Sequence, residues 1–286
     1  MTCFYIKEAS EKNKFKLKYK YIFNQLEIQE NAIEFPIREK QKIGNRKIKN
    51  LVQRLEENNV RLVALSKVLN RYEQLKNEMY SNNIDILDER YLFKILSENI
   101  LEYICKKLKC DIQNTEVSIL VNNANNQNKN IILGLSKKVK MLNIITNHIN
   151  DFRDIEKFLY NENGIVINIS NNKKKSLLNS KILLNLDFCA EDINTYNIPK
   201  NSIIINTNNE IKIRTKKFNG INVNSYNIIM PSKYKMSGFS DEIIYESLIY
   251  NMDYENARNK ILEDKIKIKN LIGEKGIIHE REFDKL

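Results

Sequence analysis

Asp187 and Lys67 are the two side chains whose setting suits acid–base chemistry. Asp187 follows the apolar run Leu184-Asn185-Leu186, and a carboxylate at the end of a buried strand can act as a general base if it faces a cleft. The simpler reading of an aspartate in that place is a loop-fixing or helix-capping one. Lys67 follows Ser66, directly after the apolar run at 60–65. It could bind an acid or move a proton, although a solvated lysine accounts for it more simply. His148 has no carboxylate at a fixed motif spacing, and Asp151 behind it reads as the N-cap of the next helix. Two histidines, and four cysteines in no CxxC pair, offer no zinc ligand set, so no metal is expected. Cys105 and Cys110 are five apart on an expected helix, which would turn them to different faces. No P-loop, nucleophile elbow, HExxH or kinase motif is present.

A second constellation is made of amides. Asn122, Asn123, Asn125 and Asn126 occupy a loop between an apolar run at 117–121 and a helix expected to start near Lys129 and Asn130. A helix start presents free amides and the positive end of a dipole, which suits a phosphate or carboxylate. A plain polar loop in an asparagine-rich chain is the simpler reading. Asn147, Ser170 and Asn206 fall, like Asp187, at the ends of other apolar runs. In an open parallel sheet, ligands gather beyond those carboxyl ends.

The elements that would position these residues follow from periodicity. Apolar runs at 117–121, 142–146, 165–169, 182–186, 202–206, 211–214 and 226–230 read as strands, with helices at 130–139 and 151–160 and a short one around Ser176. Short, wholly apolar strands alternating with helices call for a parallel sheet covered on both faces. Phe218-Asn219-Gly220 reads as a turn between two strands. In the first part, strands at 4–6, 19–23, 60–65 and 84–87 alternate with helices at 38–58, 68–80 and 88–108. Residues 241–251 and 253–271 read as helical. The expected fold class is α/β in two α/β domains, 1–110 and 111–235, with 236–286 as helices packing back.

Residues 89–231 resemble the NAD(P)-binding half of two-domain dehydrogenases such as the shikimate and methylenetetrahydrofolate dehydrogenases. The likeness is carried by a long helix leading into the strand at Val117, by the strand ends Ile144-Ile145-Thr146-Asn147 and Ile182-Leu183-Leu184-Asn185, and by the turn from Asn197 into Ser202 to Asn206. It implies a Rossmann-like, mostly parallel sheet and an NAD(P) cofactor at the loop after the first strand. The chain departs from that pattern where the chemistry lies. The expected GxGxxG is Asn122-Asn123-Ala124-Asn125-Asn126-Gln127-Asn128, without glycine, and the glycines are what admit a pyrophosphate to the backbone. The second strand ends in Asn147 and His148 in place of a ribose-binding acid. Classical NAD(P) binding is therefore disfavoured, and the cofactor stays unknown.

Composition bounds the rest. The chain has 286 residues, 42% of them hydrophobic, and no apolar stretch approaching 18 residues. The N-terminus lacks the layout of a secretory signal. The net charge of +11 invites nucleic acid as a partner. However, lysine, asparagine and isoleucine are raised together, and the basic runs at 12–20, 38–49, 173–175, 212–217 and 265–269 are dispersed. That spread argues against a polyanion surface. The expectation is a cytoplasmic protein with a degenerate nucleotide loop, non-catalytic, binding a small ligand or regulating a partner. An NAD(P)-dependent oxidoreductase and a basic nucleic-acid-binding protein are the alternatives. An anionic small molecule, a protein partner and a homo-oligomer are the candidate associations.

Overall fold

The computed structural model describes residues 3–8, 27–29, 32–35, 43–214 and 218–286. The strand expected at 19–23 and the basic run at 12–20 lie outside these residues, as do parts of the runs at 38–49 and 212–217. In chain order the strands are β1 (Phe4–Glu8), β2 (Glu27–Gln29), β3 (Ala32–Phe35), β4 (Leu62–Leu65), β5 (Asp85–Ile86), β6 (Glu116–Leu120), β7 (Met141–Ile145), β8 (Ile167–Ser170), β9 (Ile182–Asn185), β10 (Ile203–Asn206), β11 (Ile221–Ile229), β12 (Lys267–Gly273) and β13 (Gly276–Ile277). The helices are α1 (Asn45–Glu57), α2 (Glu73–Ser81), α3 (Arg90–Ile95), α4 (Ser97–Lys107), α5 (Asn126–Ser136), α6 (Arg153–Asn163), α7 (Ala190–Ile193), α8 (Asp241–Ile249), α9 (Tyr254–Glu263) and α10 (Glu280–Phe283).

These elements form two compact units, Met1–Glu89 with Met230–Asn251 and Arg90–Ile229 with Met252–Leu286. The division differs from a boundary near residue 110. Both α3 and α4 belong to the second unit, and residues 236–286 are shared between the units in place of forming a segment of their own. Periodicity locates elements but does not say what each packs against. The single helix expected at 88–108 is two helices, beginning after Glu89 (φ 71°) and interrupted at Leu96.

In the first unit the sheet order is β2-β3-β1-β4-β5, with β3, β1, β4 and β5 parallel and β2 antiparallel to β3. α1 buries Ile48, Leu51, Val52 and Leu55, the i, i+3, i+4, i+7 stripe of a helix lying on a core. All four residues of β4 are buried, as a strand covered on both faces requires.

The second unit holds an eight-stranded sheet in the order β13-β12-β11-β10-β9-β6-β7-β8. Its six strands from β8 to β11 are parallel. Numbered from β6, they run 3-2-1-4-5-6, the doubly wound order of the Rossmann fold. Gly164 ends α6 in the left-handed region (φ 65°), where a side chain is disfavoured. Asp151 does not cap α6: it lies in a 3-10 turn, Ile149–Phe152, and Phe152 takes the N-cap position.

Three other expectations are corrected. Residues 173–179 are turns and not a helix. Residues 211–214 are no strand, because side chains replace the ladder: Ile211 N–H donates to Asn224 Oδ1 and Ile211 O accepts from Asn222 Nδ2. The segment 253–271 is helical only to Glu263. Lys265 then takes a positive φ of 54°, and Ile266-Lys267-Ile268-Lys269 alternates with the period of a strand. β12 accordingly pairs antiparallel with β11.

A buried carboxylate ties α4 to α9 within this unit. Glu98, 3% exposed, pairs with Arg258 at 2.7 Å and Lys138 at 2.9 Å. Glu98→Gln should cost about 2 kcal/mol in urea unfolding, less than a fully buried pair because both cations are partly solvated. Burial lowers the Lys138 ammonium, but hydrogen bonds to Glu102 and Glu98 outweigh it and raise it above 10.5. Burial likewise raises the Tyr254 phenol above 10.0, with Glu98 adding to it. Groups raised in the folded state contribute stability that is complete below their unfolded values and lost as pH rises through the folded ones. Urea melts from about pH 9 upward should therefore show stability falling beyond pH 10, less steeply in Glu98→Gln.

Candidate functional site

The point where the strand order reverses lies between β6 and β9, and in this fold class that is where ligands bind. Leu120 pairs with Asn185 in the parallel register, so the residues two further on, Asn122 and Asp187, arrive at the same level. There the Asp187 carboxylate accepts the backbone N–H of Asn122 at 2.6 Å and of Asn123 at 2.8 Å. The Asn128 side-chain amide adds a third donor at 3.2 Å. The loop amides therefore already hold an anion, and that anion belongs to the chain itself. The free amides expected at a helix start near Lys129 and Asn130 are therefore not what this loop presents: register brings a carboxylate onto the N–H groups of Asn122 and Asn123.

Both partners are held in place. Asn185 is fully buried; its Oδ1 accepts Phe188 N–H at 2.8 Å and its Nδ2 donates to Phe188 O at 3.1 Å, shaping the turn that presents Asp187. On the other side α5 begins at Asn126, four residues earlier than expected. Asn125 caps it, its side chain accepting Asn128 N–H at 2.8 Å, a placement asparagine favours because it satisfies an orphan donor. The capped turn buries Asn128, whose Nδ2 also donates to Asn123 O at 2.8 Å. Both neighbours of that nitrogen are acceptors, which fixes the amide orientation and leaves Asn128 Oδ1 buried without a partner.

Of the residues singled out from sequence, Asp187, Asn122, Asn123 and Asn147 share one network: Asn122 Oδ1 accepts Asn147 N–H at 2.8 Å. The exposed Asn147 side chain makes long contacts to Asp192 and Tyr196. Asn125 acts as the cap, and Asn126 is exposed at the first turn of α5. Ser170 belongs to a separate turn, its hydroxyl accepting Asn172 N–H. Asn206 is fully buried in an amide ladder, accepting from Asn185 Nδ2 and donating to Asn222 and Asn224. Lys67 lies in the first unit, exposed, with its N–H on Gly238 O at 2.9 Å. His148 is exposed. Among the described residues no cluster of three or more acidic, histidine or cysteine side chains could hold a metal.

Asn128 and Asn185 are the site residues that sequence reasoning passed over. A polar residue inside the apolar run Ile182-Leu183-Leu184-Asn185-Leu186 was the available signal, since a buried amide must be hydrogen-bonded.

The residues present do not fit a pyrophosphate at this loop. The amides that would hold it donate to Asp187 instead, and asparagines occupy the positions where glycines would let the backbone approach closely. Fold and site together define a two-unit α/β protein with a Rossmann-ordered sheet and an internally occupied anion loop. No protein family matches the chain, and no curated protein is similar to it in sequence. Among solved structures it is similar to L-tryptophan dehydrogenase from Nostoc punctiforme, at 10% identity over 92% of this chain and 88% of that one, with a TM-score of 0.34. It is also similar to D-2-hydroxyisocaproate dehydrogenase, at 6% identity over 72% and 70%, TM-score 0.33. Ornithine carbamoyltransferase from Pyrococcus furiosus is similar at 7% identity over 91% and 84%, TM-score 0.30. No helix among the described residues is long and apolar enough to cross a membrane.

Proposed function

We propose that this is a non-catalytic cytoplasmic protein, ligand-binding or regulatory, on a dehydrogenase-like scaffold of the shikimate type whose nucleotide loop is closed by its own Asp187. The observation that carries this reading is the carboxylate on the amides of Asn122 and Asn123. A dinucleotide would have to displace an anion already bonded to three donors. With both Asp187 oxygens engaged, the acid–base role that an oxidoreductase would ask of Asp187, and of Lys67, loses its support. What the rim offers in place of an anion site is neutral: the exposed amides of Asn123, Asn125 and Asn147. These suit a hydrogen-bonding small molecule, a protein partner or a second copy of the chain better than a phosphate or a nucleic acid.

A thermal-shift panel of NAD, NADH, NADP, NADPH and inorganic phosphate tests the reading. A ligand at 100 times its Kd would stabilise the fold by about 2.7 kcal/mol. Silence across the panel is the expected result, and a shift with any dinucleotide would overturn the proposal.

A further inference from the structure

We infer that Cys105 and Cys110 are a redox modification site, a dithiol that closes to a disulfide when a peroxide reaches it. The two residues are brought together by the way α4 ends. Lys109 takes the left-handed conformation (φ 55°), Cys110 N–H donates to Cys105 O at 3.0 Å, and Lys109 N–H donates to Lys106 O at 3.2 Å. These bonds are the 6→1 and 5→2 pair of a Schellman motif, in which the side chains at the two ends of the turn meet. The helical spacing that would have sent the cysteines to different faces stops at Lys107. A direct backbone hydrogen bond between two residues keeps their Cα atoms within the span of about 4.4–6.8 Å that a disulfide needs.

The sulfurs converge on one hydroxyl. Thr115 Oγ1 lies 3.7 Å from Cys105 Sγ and 3.8 Å from Cys110 Sγ. It gives its only proton to Asp111 O at 2.8 Å, which leaves its lone pairs to the two thiols. Cys110 is exposed and Cys105 buried, and burial pushes the Cys105 thiol up to about 11. The accessible thiol therefore reacts first and the sheltered one resolves it.

The Cys110 thiolate attacks the peroxide: an S–O bond forms, the O–O bond breaks, and water leaves with the thiol proton. Cys105 sulfur then attacks the sulfenic sulfur, the S–S bond forms, and the S–O bond breaks, releasing a second water that carries the Cys105 proton. Two thiols are oxidised and one peroxide is reduced. A dithiol reductant reverses the step.

Lys106, Lys107 and Lys109 lie between the two cysteines, so trypsin separates them unless a disulfide joins the fragments. Native protein treated with stoichiometric hydrogen peroxide should fall from four titratable thiols to two. Non-reducing digestion should yield the linked Cys105 and Cys110 fragments, and dithiothreitol should restore both thiols. The double variant Cys3→Ser with Cys189→Ser should give the same linked pair. Cys105→Ser should instead accumulate a dimedone-reactive sulfenic acid on Cys110. Recovery of Cys110 as a sulfinic acid or a link between chains, with Cys105 still free in folded wild-type protein, would overturn the inference.

Discussion

Alanine in place of Asp187 should lower the unfolding free energy by about 2–3 kcal/mol, and phosphate or sulfate should recover part of the loss. The first half of this expectation follows from what the carboxylate leaves behind. The N–H groups of Asn122 and Asn123 and the amide of Asn128 all lose an acceptor. Hydrogen bonds to a charged group contribute about 1.5–3 kcal/mol, and a buried donor left unpaired is costly. The second half follows from the place vacated. Two consecutive backbone amides, next to the N-terminus of an 11-residue helix, form an anion site once the internal anion is gone. Asp187→Asn keeps an acceptor oxygen and should lose less, with little response to phosphate. Thermal midpoints of wild type and both variants, measured against rising phosphate, check the expectation. If phosphate moved Asp187→Ala no further than wild type, the loop would not be an anion site closed from within, and the proposed function would lose its basis.

Gly220→Ala should be at least as damaging, at about 3 kcal/mol or more. A Cβ there would run into the carbonyl oxygen of Ser202 and lie 2.8 Å from the Phe218 ring. The Ser202 carbonyl cannot retreat, because it accepts Ile221 N–H at 3.0 Å where β10 and β11 begin to pair. The substitution therefore forces apart the entry to a parallel pair in the centre of the sheet. Circular dichroism melts or urea unfolding would read the loss. A variant as stable as wild type would mean that backbone at this crossing can shift freely. Phe218-Asn219-Gly220 reads from sequence as a turn between two strands, and the strands on either side of it, β10 and β11, are parallel. The glycine is required for close approach, since its φ is not positive.

The strands of the second unit could be read from their apolar runs because β6, β9 and β10 are buried along nearly their whole length. A strand covered on both faces leaves that mark. Elements with mixed burial leave no such mark: β12 alternates exposed and half-buried positions over 267–270 and has a single buried residue, Leu271, so it reads as helix, and residues 211–214 read as strand although their backbone bonds to asparagine side chains. The candidate site was half visible in the same way. The asparagine loop and Asp187 each stood out, but nothing local said that one would hold the other.

By itself the sequence determined the α/β class, the parallel character of the second sheet and the loss of the glycine loop, because each rests on local composition and period. Only the tertiary structure decided the division into units and the closure of the anion loop. That closure depends on register between β6 and β9, strands 65 residues apart at the bond from Asn122 to Asp187. A pairing over such a distance is set by how the sheet assembles, and no short stretch of chain encodes it.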